Sequence, residues 1–594
     1  MKICRDIVLI ILFCSSLNVF SQDIEITLGS PSNMLNYAGV PIFEWFPDGH
    51  ISILKEIDSE QYAMYWAGHK SYRTLGNYPY PEYQLTLSPT DKILGEKTDV
   101  DAWDNGGSWL MSVFRVAEDT LLGFYHAEDH YYGTDNPGNI AWKSLGRVIS
   151  YDNGISWQEH ERIITSDKPK PDSPEWGGSG DNAVIWDETN NRWLCYYQEE
   201  HILMAMSEDR LGRPGTWYKY YDGSFSQPGI EGLATRVNNL TINGGNPSVH
   251  FNEYLNKYVI VYHGWNGNIY LSTSANGIEW ESPVKIVTAS SGNRVWYPTI
   301  IGETDLAAGK VARLYYADFA GNGRNFISRA IIFDETPAFK PNSWLYEKIG
   351  SFKMKGSFDS LSSGDYRIVA FEGNINENAA YGYHYQEIDG FFESSFRLYI
   401  DEDFPGPVGC AIRAGSNNSD EEIVLVYDGN KIFLKNGVEL LGGLSGDSIS
   451  LSIKMANEEL TVSYKNDEEN WIDIFNTTWN DSFNHLGFFT TASLDKPSIG
   501  YVSDLKIEPI VIVGTEKFIE SELIIYPNPV KRTINITGGS KMNRVILMHY
   551  DGRIVRDTTN VDQLSIRDLS NGIYLLKIIK SIGEYEYQKI IIER

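Results

Sequence analysis

SYDNGISW, residues 150–157, sets Ser150, Asp152, Gly154 and Trp157 at the spacing of one tight turn. The aspartate can accept from successive turn N–H groups, the glycine can take a left-handed backbone, and the tryptophan can pack beneath. TSANGIEW (273–280) repeats the plan with Ala275 in place of the aspartate, and SEDRLGRPGTWYKYYDG (207–223) is a third, Gly/Pro-punctuated outer turn carrying Trp217. All three read as architecture. Outward from them the chain reads as strands. Runs of Val, Ile, Tyr, Phe and Trp alternate with Gly, Asn and Asp turns, and amphipathic helix patterns are scarce. Five segments share one plan: a strand, a turn, then an aromatic-rich strand with polar residues just past its end. The first strands are VPIFEWFPDG (40–49), GSWLMSVFRV (107–116), GDNAVIWDET (180–189), GNPSVHFNEY (245–254) and VWYPTIIGET (295–304). Their partners are QYAMYWAGH (61–69), TLLGFYHAEDH (120–130), RWLCYYQEEH (192–201), KYVIVYHGW (257–265) and ARLYYADF (312–319). Five repeats, roughly 60 residues apart, predict an all-β, five-bladed β-propeller over about 30–345.

Beyond the propeller the pattern changes. From 356 to 508 long alternating strands such as FFESSFRLYI and EEIVLVYDGNKIFLKNG are joined by Asp-Gly-Asn and Lys-Asn-Gly turns. This resembles a jelly-roll-type, concanavalin-like (laminin-G-like) β-sandwich, a fold often used as a carbohydrate-binding module. A linker is expected over 509–520, followed by a small Ig-like β-sandwich over 521–594. There Tyr526-Pro527-Asn528-Pro529, Asp551-Gly552-Arg553 and Asn571-Gly572-Ile573-Tyr574 stand in order. That order resembles the type IX secretion sorting domains of Bacteroidetes. The resemblance implies handling by the type IX machinery, export across the outer membrane, and no catalytic part for the module. At the other end, Lys2 and Arg5 precede the apolar run Ile7–Phe13 and a small polar stretch, so 1–22 reads as a secretory signal peptide.

Composition narrows the partners. The 79 acidic against 50 basic residues give a net charge of -29. Such a surface argues against nucleic acid, whose binding relies on Lys and Arg at phosphates. No apolar run reaches the length of a membrane-spanning helix. Two of the 4 cysteines leave with the signal, and Cys195 and Cys410 lie far apart, so no disulfide framework or cysteine metal site is expected. The 16 Trp and 37 Tyr suit β-sheet cores and also sugar-binding clefts.

In a propeller the loop entering each inner strand and the loop leaving each second strand share one face. Reading those positions collects His69, His126, Glu128, Asp129, His130, Glu199, Glu200, His201, His263, Trp265 and Asp318 from the second strands. The inner-strand starts add Asp181, Asn182, Asn246 and Tyr297. Five of the 11 histidines fall in this subset. Carboxylates from different blades can supply the protonated acid and ionised base of glycoside hydrolysis, with a third charge setting the acid's pKa. Glu128, Asp181 and Glu199 are the candidates. His69, His126, His130, Asn182, Glu200, Asn246, His263, Trp265, Tyr297 and Asp318 are expected to bind sugar. The histidines and carboxylates could instead hold a structural divalent cation such as calcium in the channel; no other cofactor is expected.

Blade count, the turns and the acidic mouth together resemble the five-bladed glycoside hydrolase propellers of families 43, 117 and their relatives. The resemblance implies inversion by an Asp base, an Asp that modulates pKa and a Glu acid. Asp181 begins an inner strand as such an Asp would, and Glu128 is the favoured acid. The first-blade Asp has no obvious place: the first inner strand offers only Glu44 inside and Asp48 at its far end, with Asp101 or Asp104 as substitutes. The expected activity is hydrolysis of plant or algal poly- or oligosaccharide by a secreted or cell-surface enzyme. A polysaccharide lyase, using His126, His130, Tyr297 or Arg294 on a uronate, and a non-catalytic glycan-binding protein are the alternatives.

Overall fold

The second strands of the repeats are buried on both faces between neighbouring sheets, which is why they read as unbroken apolar runs rather than alternating ones. The computed structural model describes all residues except 1–23, 37–45, 58, 69, 85–91, 96, 133–139, 291, 320–323, 335–343, 376–378, 389–390, 415–421, 457–458, 467, 479–484, 511–523, 527, 538–541, 550–552, 560–561, 581–584 and 594. The signal peptide and the expected linker lie almost wholly outside the described residues. Among those described, every regular element is a strand apart from one short 3-10 turn at Pro81–Tyr83.

Residues 25–334 form five sheets, antiparallel except where the short strands Gly177–Gly178 and Ala307–Ala308 join in parallel. Their innermost strands are Ser52–Lys55, Gly107–Arg115, Asn182–Asp187, Gly244–Asn252 and Val295–Ile301, and each packs against the next. A separate apolar core fills the space between each successive pair of sheets. Tyr65 meets Tyr125, Phe114 meets Trp193, Tyr196 meets Tyr262, and Val261 meets Leu314. The fifth core joins the last sheet to the first through Ile53, Trp66, Tyr315 and Phe326, closing the ring of a β-propeller. Closure is reinforced where Ile51 N–H donates to Thr299 Oγ1 at 3.3 Å and Ile53 N–H to Asp305 Oδ1 at 2.7 Å. The N-terminal strands Glu25–Leu28 and Ser32–Asn36 complete the last sheet by pairing with Asn325–Asp334.

One expectation shifts here. The first inner strand is Ser52–Lys55, beyond the predicted span of 40–49; residues 46–49 form no strand and 40–45 lie outside the described residues. Phe46-Pro47-Asp48-Gly49-His50 is therefore the loop entering that strand, and Asp48 stands ahead of it rather than at its far end. Asp104 does not substitute: it is buried against Lys97 at 2.8 Å and Tyr125 Oη at 3.0 Å.

The outer turns behave as architecture. Asp152 Oδ1 accepts from Ser156 N–H at 2.9 Å, Ser150 Oγ accepts from Gly154 N–H at 2.8 Å, and Gly154 has φ of 83° with the Tyr65 hydroxyl packed where a side chain would begin. In the degenerate copy Asn276 replaces the missing aspartate, its Oδ1 accepting from Ile278 and Glu279 N–H at 2.9 Å each.

Two seven-stranded sheets follow and share one core, with Phe396 and Leu451 from one and Cys410 and Phe488 from the other. This sandwich opens with Leu345–Ile349, a strand the sequence reading left at the propeller's end. The C-terminal module packs a three-stranded sheet on a four-stranded one around Ile534, Leu547, Leu576 and Ile590.

Candidate active site

Ahead of the first inner strand, Asp48 N–H donates to Ala67 O at 3.0 Å, which ties it to the end of the second strand in its own sheet. Asp181 immediately precedes Asn182–Asp187 in the third sheet, and Gln198 N–H donates to its carbonyl at 3.0 Å. Both carboxyls thus stand at the same open end of the propeller as the residues leaving the second strands.

The strand Leu121–His130 brings its last alternate residues, His126, Glu128 and His130, to one face. His126 lies between two carboxylates: Nδ1 is 3.0 Å from Asp181 Oδ1 and Nε2 is 3.5 Å from Glu128 Oε1. The other Glu128 oxygen meets His130 Nε2 at 2.9 Å. His130 lies so close over Gly106 that any side chain there would strike its ring, so glycine is required at that position. Asp181 Oδ2 accepts from Asn246 Nδ2, and Asn246 N–H donates to Gln198 Oε1 at 3.0 Å.

The electrostatics follow from this chain of alternating charge. Burial disfavours a charged His126, but Asp181 and Glu128 outweigh it and hold the imidazole up at about 9. Burial alone would raise Glu128, but His126 and His130 outweigh it and bring the carboxyl down to about 2. In this environment the ionised form of Glu128 is favoured, which suits an acceptor better than the proton donor expected from sequence. The sign for stability is definite. His126 contributes fully below its ordinary 6.5 and loses that contribution as pH rises through about 9. Glu128 contributes above its ordinary 4.5 and loses it as pH falls towards 2. The melting-temperature difference between wild type and His126→Gln is thus expected to shrink from pH 6.5 to 9; a difference constant across that window would show that the imidazolium adds nothing to the fold.

Asp48 forms a second centre. Its Oδ1 meets Arg324 Nη1 at 3.0 Å, and the Arg324 guanidinium lies 5.0 Å from the Tyr297 ring centroid. Burial pushes the Asp48 carboxyl up; Arg324 and a Tyr297 hydrogen bond oppose that, and nearby Asp181 adds to it. Its side chain is still 22% exposed, enough for a ligand to reach. Tyr297 and Asn246 both have left-handed backbones, φ 53° and 49°, at bulges in their inner strands. Tyr297 is a bulky residue in a region that disfavours it, the kind of strain that collects at functional sites.

An aromatic wall completes the mouth. His263 stacks on Trp296 at 4.8 Å, burial pushes it down to about 3, and neither ring nitrogen has a hydrogen-bond partner. Trp265 packs edge-on against His263 and donates from Nε1 to Glu200 O at 2.8 Å while remaining 43% exposed.

The structure brings Asp181, His126, Glu128, His130, Asn246, Tyr297, His263 and Trp265 into this neighbourhood. Asn182 lies on the adjoining inner strand, fully buried, with both amide atoms lacking a partner. Asp318 ends its strand with Oδ1 unpartnered and its carboxyl raised by burial. Glu200 is exposed and contributes its carbonyl. Glu199 faces its own neighbours: its oxygens accept from Ser179 Oγ at 2.8 Å and Ser166 Oγ at 3.4 Å. His69 lies outside the described residues. Among the described residues no group of three or more His, Cys, Asp or Glu is arranged to hold a metal ion.

Sequence reasoning misplaced Asp48 and missed Arg324 and Trp296 altogether. The signal for Asp48 was present, since Pro-Asp-Gly is a turn marker directly before an apolar run. The more apolar VPIFEWF before the turn drew the strand to the wrong side.

Residues 524–593 match the secretion system C-terminal sorting domain. This module marks the chain for export by type IX secretion, to the cell surface or beyond. No helix among the described residues is long and apolar enough to cross a membrane. A search of curated proteins returns no match. Among solved structures the chain is similar to the GH43 protein BlXynB of Bacillus licheniformis, at 10% identity and a TM-score of 0.32, over 80% of this chain and 99% of that one. It is also similar to a fructofuranosidase of Schwanniomyces occidentalis at 11% and 0.32, over 77% and 96%. A third is sucrose-6-phosphate hydrolase of Lactobacillus gasseri at 10% and 0.29, over 80% and 90%. Likeness at this level assigns no activity, and the functional argument rests on the mouth itself.

Proposed function

We propose that the chain is an exported glycoside hydrolase that cuts a plant or algal glycan at the propeller mouth, with Asp48 and Asp181 as its working carboxyl groups. One observation carries this reading: two carboxyls at the open end, from the first and third sheets, lie near enough for one to act on the other, in unlike surroundings. Asp48 is raised by burial and by Asp181. Asp181 faces the His126 ring and the Asn246 amide. Unlike environments for paired carboxyls are what an acid and a base require. Asp48 gives its proton to the glycosidic oxygen as the bond from the sugar's anomeric carbon breaks. Asp181 takes a proton from the water that attacks that carbon. Glu128 and His130 keep His126 charged and aligned beside Asp181. The sugar ring rests on Trp265.

The lyase alternative needs a base at neutral pH, and Tyr297, His126 and His263 are poor ones. Burial, with Asp48 and Asp181, pushes the Tyr297 phenol well above its ordinary range. His126 is held protonated, and His263 at about 3 is a weak base. Incubation of the exported chain with plant and algal polysaccharides, following reducing ends and ultraviolet absorbance together, is expected to give reducing ends without absorbance. Absorbance would establish elimination instead. Glycan affinity with no turnover on any glycan would make this a binding protein.

A further inference from the structure

We propose that the sugar subsite on Trp265 takes an anionic residue, a uronate or a sulfated sugar, recognised by Arg294 and Arg236. This rests on the hydrolase reading only for the place where glycan lies.

In a chain with 79 acidic against 50 basic residues, an arginine has many carboxylates to pair with. At the mouth Arg324 pairs with Asp48, and elsewhere in the propeller Arg147 pairs with Glu161 and Glu159, Arg192 with Asp187 and Arg213 with Asp209. Among the described residues Arg294 and Arg236 make no such pair, and both border Trp265.

Arg294 is exposed, and its guanidinium lies over Trp296 at 4.2 Å and Phe319 at 4.6 Å. Trp296 is in turn 6.3 Å from the Trp265 ring, edge to face. Arg236 is linked to Trp265 through Asn243. It donates to Thr241 O at 2.8 Å and to Asn243 Oδ1, while the Asn243 carbonyl accepts from Trp265 N–H at 3.0 Å. The indole is pinned through Nε1 and offers an exposed surface. The result is a fixed aromatic platform flanked by two positioned guanidiniums with N–H groups to spare.

A neutral sugar needs the platform but not the charges. An acidic sugar needs both, because a guanidinium matches the fork of a carboxylate or the oxygens of a sulfate. Stacking holds the Arg294 plane ready, so little freedom is lost when it binds.

The test uses the exported chain with Asp181→Asn to prevent turnover. Calorimetric titration compares oligogalacturonate with its carboxyl-reduced counterpart, and sulfated galactan fragments with their desulfated counterparts, at low and high salt. One anionic ligand is expected to bind about tenfold or more tighter than its neutral twin. That preference should shrink at high salt and disappear in the Arg294→Gln/Arg236→Gln double variant. The series that shows the preference identifies carboxylate or sulfate. Equal affinity for both members of each pair, or a preference that survives the double variant, overturns the proposal. Anion preference in a wild-type chain that cleaves nothing would sink the hydrolase reading and leave this subsite standing. Cleavage of neutral glycans blind to charge would do the reverse.

Discussion

Asp181→Asn is expected to lower glycan hydrolysis by about two to four orders of magnitude, the range typical of a lost acid–base group. The fold should survive, because an amide of the same shape still accepts from Asn246 and still lies beside His126. Asp48→Asn should lose turnover by a similar factor. The two losses should differ in what repairs them. If Asp181 activates water, azide or formate should restore part of the rate in Asp181→Asn by replacing the missing anion. If Asp48 supplies the proton, its variant should recover on an aryl glycoside whose leaving group needs no protonation, and azide should not help. The opposite pattern would exchange the roles. Full activity in both variants, with unchanged melting temperatures, would remove the mouth from the chemistry. Glu128→Gln separates the supporting network from the reacting pair: it takes one of two carboxylates from His126, so the group that stays charged up to about 9 should titrate lower. The alkaline limb of the pH–rate profile should move down accordingly.

Local pattern made the sheets legible. Alternation, turn residues and aromatic-rich second strands are properties of short segments, and four of the five predicted inner strands overlie observed ones. The exception shows where local reading fails. Strand Ser52–Lys55 is only four residues long and is flanked by the more apolar stretch on the wrong side of the Pro-Asp-Gly turn. Only its pairing with Tyr62–Ala67 identifies it. The mouth was legible as a set of positions but not as chemistry. Sequence placed Glu128 there; its charge state depends on His126 and His130 closing on both oxygens, and that is a matter of distance. Glu199 satisfied the same positional rule, yet Ser166 and Ser179 from an adjacent segment claim its oxygens. Arg324 directly precedes the strand Asn325–Asp334 and becomes relevant only when ring closure brings the last sheet beside the first.

Removal of the sandwich is expected to destroy the propeller's stability rather than merely weaken its hold on polymer. A tethered binding module would raise effective concentration and could be cut away without harm to the fold. The contact seen here is of another kind. The core that closes the ring is shared: Met354, Val369, Phe371 and Ile499 of the sandwich pack with Phe46, Trp66, Tyr315 and Phe326 of the propeller. Polar groups cross the same junction. Arg367 of the sandwich meets Asp334 at 2.6 Å and its own Asp359 at 3.0 Å, all three buried, and Asp334 ends the strand that pairs with Glu25–Leu28. Arg313 Nη1 donates to Lys355 O at 3.0 Å. Arg367→Met leaves two buried carboxylates without their cation, a loss of about 3–5 kcal/mol. Phe371→Ala opens a cavity in the shared core at a similar cost of about 3–5 kcal/mol. Each variant should shift propeller and sandwich unfolding together in calorimetry, and a chain ending at 344 should aggregate or lose its cooperative transition. A soluble propeller fragment with the parent's melting temperature and activity would show the junction to be incidental. If the junction behaves as its packing requires, any glycan the sandwich holds is held at a fixed angle to the mouth.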